Sequence, residues 1–237
     1  MRRGRFIWLT FALLALATAA LCVRLGLWQW QRGSQRQEQW ERFARGAAQT
    51  LALGNRPLAA VALYQRVSLS GTYDAAHQFL LDNRSYQGRA GYEVLTPLAR
   101  PGATTLLVDR GWVPFSGSRA QLPPVALPEG TTVTLTGRVA QLPSPGLALG
   151  RAPPQGAWPK VTAFPDMAEL VSALGAPLEP RILLLDAQAP FGYVRDWQPP
   201  GMSPLRHFSY AIQWWSFAAL ALIVWTVMLL RRRRRPA

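Results

Sequence analysis

The sequence predicts a membrane protein: two transmembrane α-helices flanking a mainly β (α+β) extracytoplasmic domain of antiparallel strands. Three observations carry this. Residues 6–23 run without a charge, residues 208–230 do the same before five arginines, and the stretch between changes from helical to strand composition near residue 64. A chain of 237 residues holds one ordinary domain plus its anchors.

The first span, Phe6 to Val23, has 18 uncharged residues, and as a helix it covers about 27 Å, close to the thickness of a hydrocarbon core. A basic start and the triplet Ala17-Thr18-Ala19 also fit a cleaved signal peptide. The apolar run is longer than the usual signal core, which favours a retained span. The second, Phe208 to Leu230, is 23 residues long, and Arg231–Arg235 mark its end as cytoplasmic by the positive-inside rule. Two spans put both termini on one side, so basic tails at 1–5 and 231–237 are expected in the cytoplasm and residues 24–207 outside it. Arg24, Arg32 and Arg36 on the outer flank of the first span balance the arginines of the amino-terminal tail, so the second span carries the orientation.

The net charge of +14 raises a nucleic-acid reading. The distribution argues against it: eight bases sit in the two tails, and between Arg24 and Arg206 there are 18 bases against all 12 acids. Basic runs beside a span fix topology or meet anionic lipid. Cys22 is the single cysteine and His77 and His207 are the only histidines, which excludes an intramolecular disulfide and a multi-histidine metal centre within one chain.

After the first span, Arg24 to Phe43 has no Pro and only two Gly, so the helix is expected to run on until Gly46 and Gly54 break it. Arg24, Trp28 and Arg32 then share a face at four-residue spacing, either as an interfacial anchor or as a ligand-contacting face. Strands are expected near Gln65–Ser70, His77–Leu81, Gly91–Leu98, Thr104–Val108, Thr132–Val139, Pro159–Ala163 and Ile182–Asp186. Met167–Leu174 reads as a helix capped by Asp166 and stopped by Gly175. Short connections favour antiparallel pairing in a sandwich or partial barrel. Pro143–Pro159 is too rich in Pro and Gly for a strand and reads as a loop.

The common catalytic signatures are absent, and a non-enzyme is expected. His77, beside Asp74 in a turn, reads as a surface residue. Asp82-Asn83-Arg84 and Asp109-Arg110 read as charge pairs or turn caps following strands. His207 falls about one helical turn outside the hydrocarbon edge. In a helix begun by Arg206, residues 207, 210, 211 and 214 share a face, bringing His207, Tyr210 and Trp214 over Ala211. Two readings stand: an anchoring belt of aromatic and polar rings, or a haem site with His207 as axial ligand, flanking rings, and Arg206 or Arg24 paired with propionates.

Four blocks resemble the surfeit locus protein 1 family of cytochrome c oxidase assembly factors: Leu25-Gly26-Leu27-Trp28-Gln29-Trp30-Gln31-Arg32; Asp82-Asn83-Arg84 with Gly91-Tyr92 and Thr96-Pro97-Leu98; Leu107-Val108-Asp109-Arg110-Gly111-Trp112-Val113-Pro114; and His207 with Tyr210-Ala211 and Gln213-Trp214. The resemblance implies a non-enzymatic helper of the inner membrane, with its domain in the periplasm, that assists haem a delivery or insertion into the catalytic subunit of a haem-copper oxidase. A scaffold that stabilises an oxidase subunit without binding haem is the alternative. His207 occupies the place of the histidine proposed as haem ligand in bacterial members, beside Tyr210, Trp214, Arg206 and Arg24. Partner contact is expected at Trp28, Arg32, Arg110 and Trp112. The implied partners are the bilayer, the oxidase subunit and proteins of haem a synthesis, with no nucleic acid.

Overall fold

The computed structural model describes residues 2–143 and 150–233. The outermost residues of the two expected tails, and 144–149 of the expected Pro-rich loop, lie outside the described residues. The chain forms two compact units, Met1–Glu41 with Pro200–Ala237, and Arg42–Pro199.

The first unit pairs two helices, α1 (Arg2–Arg45) and α3 (Pro204–Arg233). The expected continuation past the first span is helical throughout, and α3 opens on Pro204, whose fixed φ and missing N–H suit a first turn. Each helix is long and apolar enough to cross a membrane by length and composition. On α1, the buried residues Ala15, Ala19, Cys22, Gly26 and Gly33 follow steps of four and three, with Gln29 and Arg36 half-buried at the next positions of that rhythm. On α3 the buried residues Pro204, Ala211 and Ala218 recur every seven. The rings of Trp215 and Phe208 fill the space that a Cβ would need at Gly26 and Gly33, and Ala218 clusters with Ala19 and Cys22. Such small-residue seams let helices approach closely where no hydrophobic force drives them together. The outward faces carry exposed apolar side chains, Phe6 at 72% and Leu205 at 74% among them.

The second unit is a nine-stranded sheet: β1 (Thr50–Ala52), β2 (Arg66–Tyr73), β3 (Phe79–Tyr86), β4 (Arg89–Arg100), β5 (Ala103–Pro114), β6 (Thr132–Ala140), β7 (Ala152–Gln155), β8 (Lys160–Ala163) and β9 (Leu178–Leu185). The strand order is β1-β2-β6-β9-β5-β4-β3-β8-β7, and a further β2–β4 pairing closes β2, β6, β9, β5 and β4 into a barrel. Inward residues alternate as a two-residue period demands: Val67 and Leu69, Leu106 and Val108, Val133 and Leu135, and Leu183 and Leu185 form one core. A second cluster outside it joins Phe79, Leu81, Leu95, Leu107 and Ile182 to Leu170 of α2 (Met167–Leu174). In α2, Asp166 and Glu169 form a reciprocal capping box and Gly175 closes it at φ 74°.

Three expectations are corrected. Pairing is not uniformly antiparallel, because β1–β2, β3–β8 and β5–β9 run parallel. The Pro143–Pro159 segment is not wholly loop: Ala152–Gln155 pairs with β8 as the outermost strand, with Pro153 and Pro154 at the register shift between its two pairs, where a sheet tolerates them. Asp82-Asn83-Arg84 and Asp109-Arg110 do not follow strands but lie within β3 and β5. A register shift between Leu81 and Arg84, with Asn83 at φ 59°, absorbs the first group. Gly111, at φ 109°, lets β5 continue past the second. A Cβ there would come within 2.6 Å of the Val194 carbonyl oxygen.

Candidate functional site

A cleft of about 520 Å3 opens in the helical unit, lined by Trp28, Arg32, Gln35, Arg36 and Gln39 of α1 together with Met202 and His207. The α1 residues are spaced three and four apart, so one helical face supplies them. Four-residue spacing had grouped Arg24 with Trp28 and Arg32; the cleft continues outward through Arg36 instead. His207 lies in the first turns of α3 and its Nδ1 is 2.8 Å from Gln29 Oε1.

Both arginines of the cleft are held by neutral groups. Arg32 donates to Gln35 Oε1 at 3.2 Å. Arg36 donates to Gln39 Oε1 at 2.8 Å and to the Pro200 carbonyl at 3.0 Å. Gly201, at φ 96°, lets the backbone come close: a Cβ there would meet Arg36 Nη2 at 2.7 Å. Among the described residues neither arginine faces a carboxylate, so two positive charges stand in the cleft beside an indole, a thioether and an imidazole. Chemically, the arrangement accepts an amphipathic anion and offers one ring nitrogen to a metal.

Of the residues expected to hold a cofactor, His207 lines the cleft, and Trp28 and Arg32, expected at a partner contact, line it too. Arg24, Arg206, Tyr210 and Trp214 are not among the lining residues. Tyr210 is 42% exposed, and Trp214 packs against the cluster of Ala19, Cys22 and Ala218, edge-on to Phe217 at 5.9 Å. Gln29, Gln35, Arg36, Gln39 and Met202 were not anticipated. The four-and-three rhythm of small residues on α1 would have singled out Gln29, and no pattern marks Met202.

Arg110 and Trp112, expected at a partner-facing surface, are only 2% and 8% exposed. Arg110 donates to Gln78 Oε1 at 2.8 Å, the Phe191 carbonyl at 2.8 Å and the Tyr193 hydroxyl at 3.2 Å, and it sits over the Tyr193 ring. Thr96 and the Val125 carbonyl complete the network. Burial lowers the Arg110 pKa and raises that of neighbouring Tyr73 to about 12, with Arg110 opposing the latter shift. Nearby on β4 and β5, burial pushes the Asp109 carboxyl well up, Glu93 adds to the shift, and the Gly111 N–H and Arg84 oppose it. Arg84 Nε is 3.0 Å from Glu93 Oε2, close enough for an ion pair but not aligned for a hydrogen bond. His77 pairs with Asp74 at 2.8 Å and stands edge-on to Trp158. Among the described residues no three His, Cys, Asp or Glu side chains gather as a metal site.

The profile of the SURF1 family matches residues 16–219. Uncharacterized SURF1-like proteins of Mycobacterium bovis and Mycobacterium tuberculosis are 31% identical over 224 residues, covering 90% of this chain and 80% of theirs. A SURF1-like protein of Monosiga brevicollis is 31% identical over 246 residues, covering 92% and 86%. With the match running from the first long helix into the second, and both sequence blocks that line the cleft inside it, the chain belongs to the SURF1 family.

Proposed function

We propose that this chain is a two-pass membrane protein that assists assembly of a haem-copper terminal oxidase by holding haem a at His207. The coarser part of this reading rests on the family, one of oxidase assembly factors, and on two helices of membrane-crossing length. Orientation follows from Arg231–Arg235, which put the carboxy-terminal end in the cytoplasm and the β unit in the periplasm.

The observation that carries the haem part is the cleft: an imidazole with one nitrogen already engaged, an indole, and two guanidinium groups facing no acid. Those donors fit a porphyrin with a metal at its centre and carboxylates at its rim. In this reading His207 would hold the iron through a ring nitrogen and Trp28 would lie against the macrocycle. Arg32 and Arg36, rather than Arg24 and Arg206, take the propionates, and the cationic cleft at the end of an apolar helix pair suits an amphipathic cargo. Handing the group on to the oxidase's catalytic subunit would require His207, Trp28, Arg32 and Arg36 to hold it weakly enough to release it.

The test is the absorption spectrum of the detergent-purified protein from cells that make haem a. A Soret band that disappears in His207→Ala supports the proposal. A colourless wild-type protein that still raises oxidase yield would replace it with a scaffold acting on an oxidase subunit without cofactor.

A further inference from the structure

We infer that Gln29 is a positioning residue that fixes the tautomer of His207, so that Nε2 carries the lone pair. This rests on the reading of His207 as a haem ligand but is measurable without haem. A side-chain amide oxygen accepts hydrogen bonds and has no proton to give. The 2.8 Å contact from His207 Nδ1 to Gln29 Oε1 therefore places the ring proton on Nδ1. Nε2 is left deprotonated, the form a metal requires. In water a neutral histidine prefers the opposite tautomer, with the proton on Nε2, so the amide reverses the intrinsic preference.

Gln29 is well placed for this task. It falls three residues after Gly26 and four before Gly33, on the face of α1 that packs against α3. Trp215 over Gly26 and Phe208 over Gly33 hold the helices together on either side of it, and the Trp30 ring lies 4.8 Å from that of Phe208 and 5.7 Å from that of Trp215. A polar side chain at a seam built largely of small residues needs a partner, and among the described residues His207 meets its amide oxygen.

The experiment uses the full chain in detergent micelles with 15N-histidine, the His207 signals being assigned by their loss in His207→Ala. Expected is a protonated Nδ1 and an unprotonated Nε2 in the wild type, a return to the Nε2–H form in Gln29→Leu, and retention of the Nδ1–H form in Gln29→Glu. In haem-loaded protein, Gln29→Leu should retain haem about 10- to 100-fold less tightly, the usual loss when a ligand's outer partner is removed. Gln29→Glu should retain it and shift the iron potential downward. An Nε2–H tautomer in the wild type, or no change in Gln29→Leu, overturns the inference. A protein with the expected tautomer but no Soret band overturns the haem reading and leaves this one standing.

Discussion

Arg100 in the β unit and Arg32 in the helical unit are the same residue held in opposite ways. Arg100, 6% exposed, donates to Glu179 at 2.7 Å and to the carbonyls of Thr104 and Arg56. Arg110 is likewise surrounded by five acceptors from four separate segments. In the cleft, Arg32 and Arg36 make only contacts to amides and one carbonyl. Buried charge that is fully satisfied is part of the architecture, because leaving either partner alone is costly. Charge held open to solvent by neutral neighbours is available to a ligand. The comparison separates arginines that specify the fold from those left open to a ligand.

The largest expected effect breaks the first kind. Arg100→Leu strands the Glu179 carboxylate in the interior and should cost about 3–5 kcal/mol, read as a fall of roughly 10 °C in the melting midpoint of the β unit. A loss below about 1 kcal/mol, the value for an exposed pair, would show that the pair is solvated. Asp109→Asn should act in the other direction. Its folded pKa is raised by burial and by Glu93, so between the ordinary aspartate range and that raised value the folded chain holds the extra proton, and stability is lost as pH rises through this window. Asparagine keeps an acceptor for the Gly111 N–H, bonded at 3.0 Å, and removes the titration. The variant should melt about 2–4 °C higher than the wild type at pH 8, with the difference shrinking toward pH 4. The smallest effect on stability belongs to the second kind: Arg32→Gln with Arg36→Gln should leave the midpoint within the change of an ordinary surface substitution, about 0.5 kcal/mol. Titration with a porphyrin dicarboxylate should nonetheless weaken tenfold or more for each charge-assisted bond lost. Equal damage to stability and binding would erase the distinction between the two kinds.

Local chemistry was the legible part of the fold. Asp166 and Gly175 bracket α2 at the residues expected, since caps are decided by neighbours within one turn. The two long helices declared themselves by length and by absence of charge. Which strands become neighbours was not readable, because Thr105 pairs with Leu178, far away along the chain, and only packing selects that partner. Arg110 was read as a strand-ending charge because its acceptors, Gln78, Val125, Phe191 and Tyr193, are scattered along the chain. In the cleft, His207, Trp28 and Arg32 were visible from residue type and helical spacing. Met202 precedes α3 in a stretch with no periodicity, and Arg36 had been counted only toward the flank charge of the first span.

The seven-residue rhythm shared by α1 and α3 has a mechanical corollary. A seam that repeats can slip by one whole repeat, about 10 Å along the axis, and still meet small residues with large ones. Gln29 and His207 occur once each in that pattern, so slippage would strand both without a mate. The amide and the imidazole thus act as a detent for the helix pair, and the two long helices cannot be traded for generic ones of equal length without unlatching it.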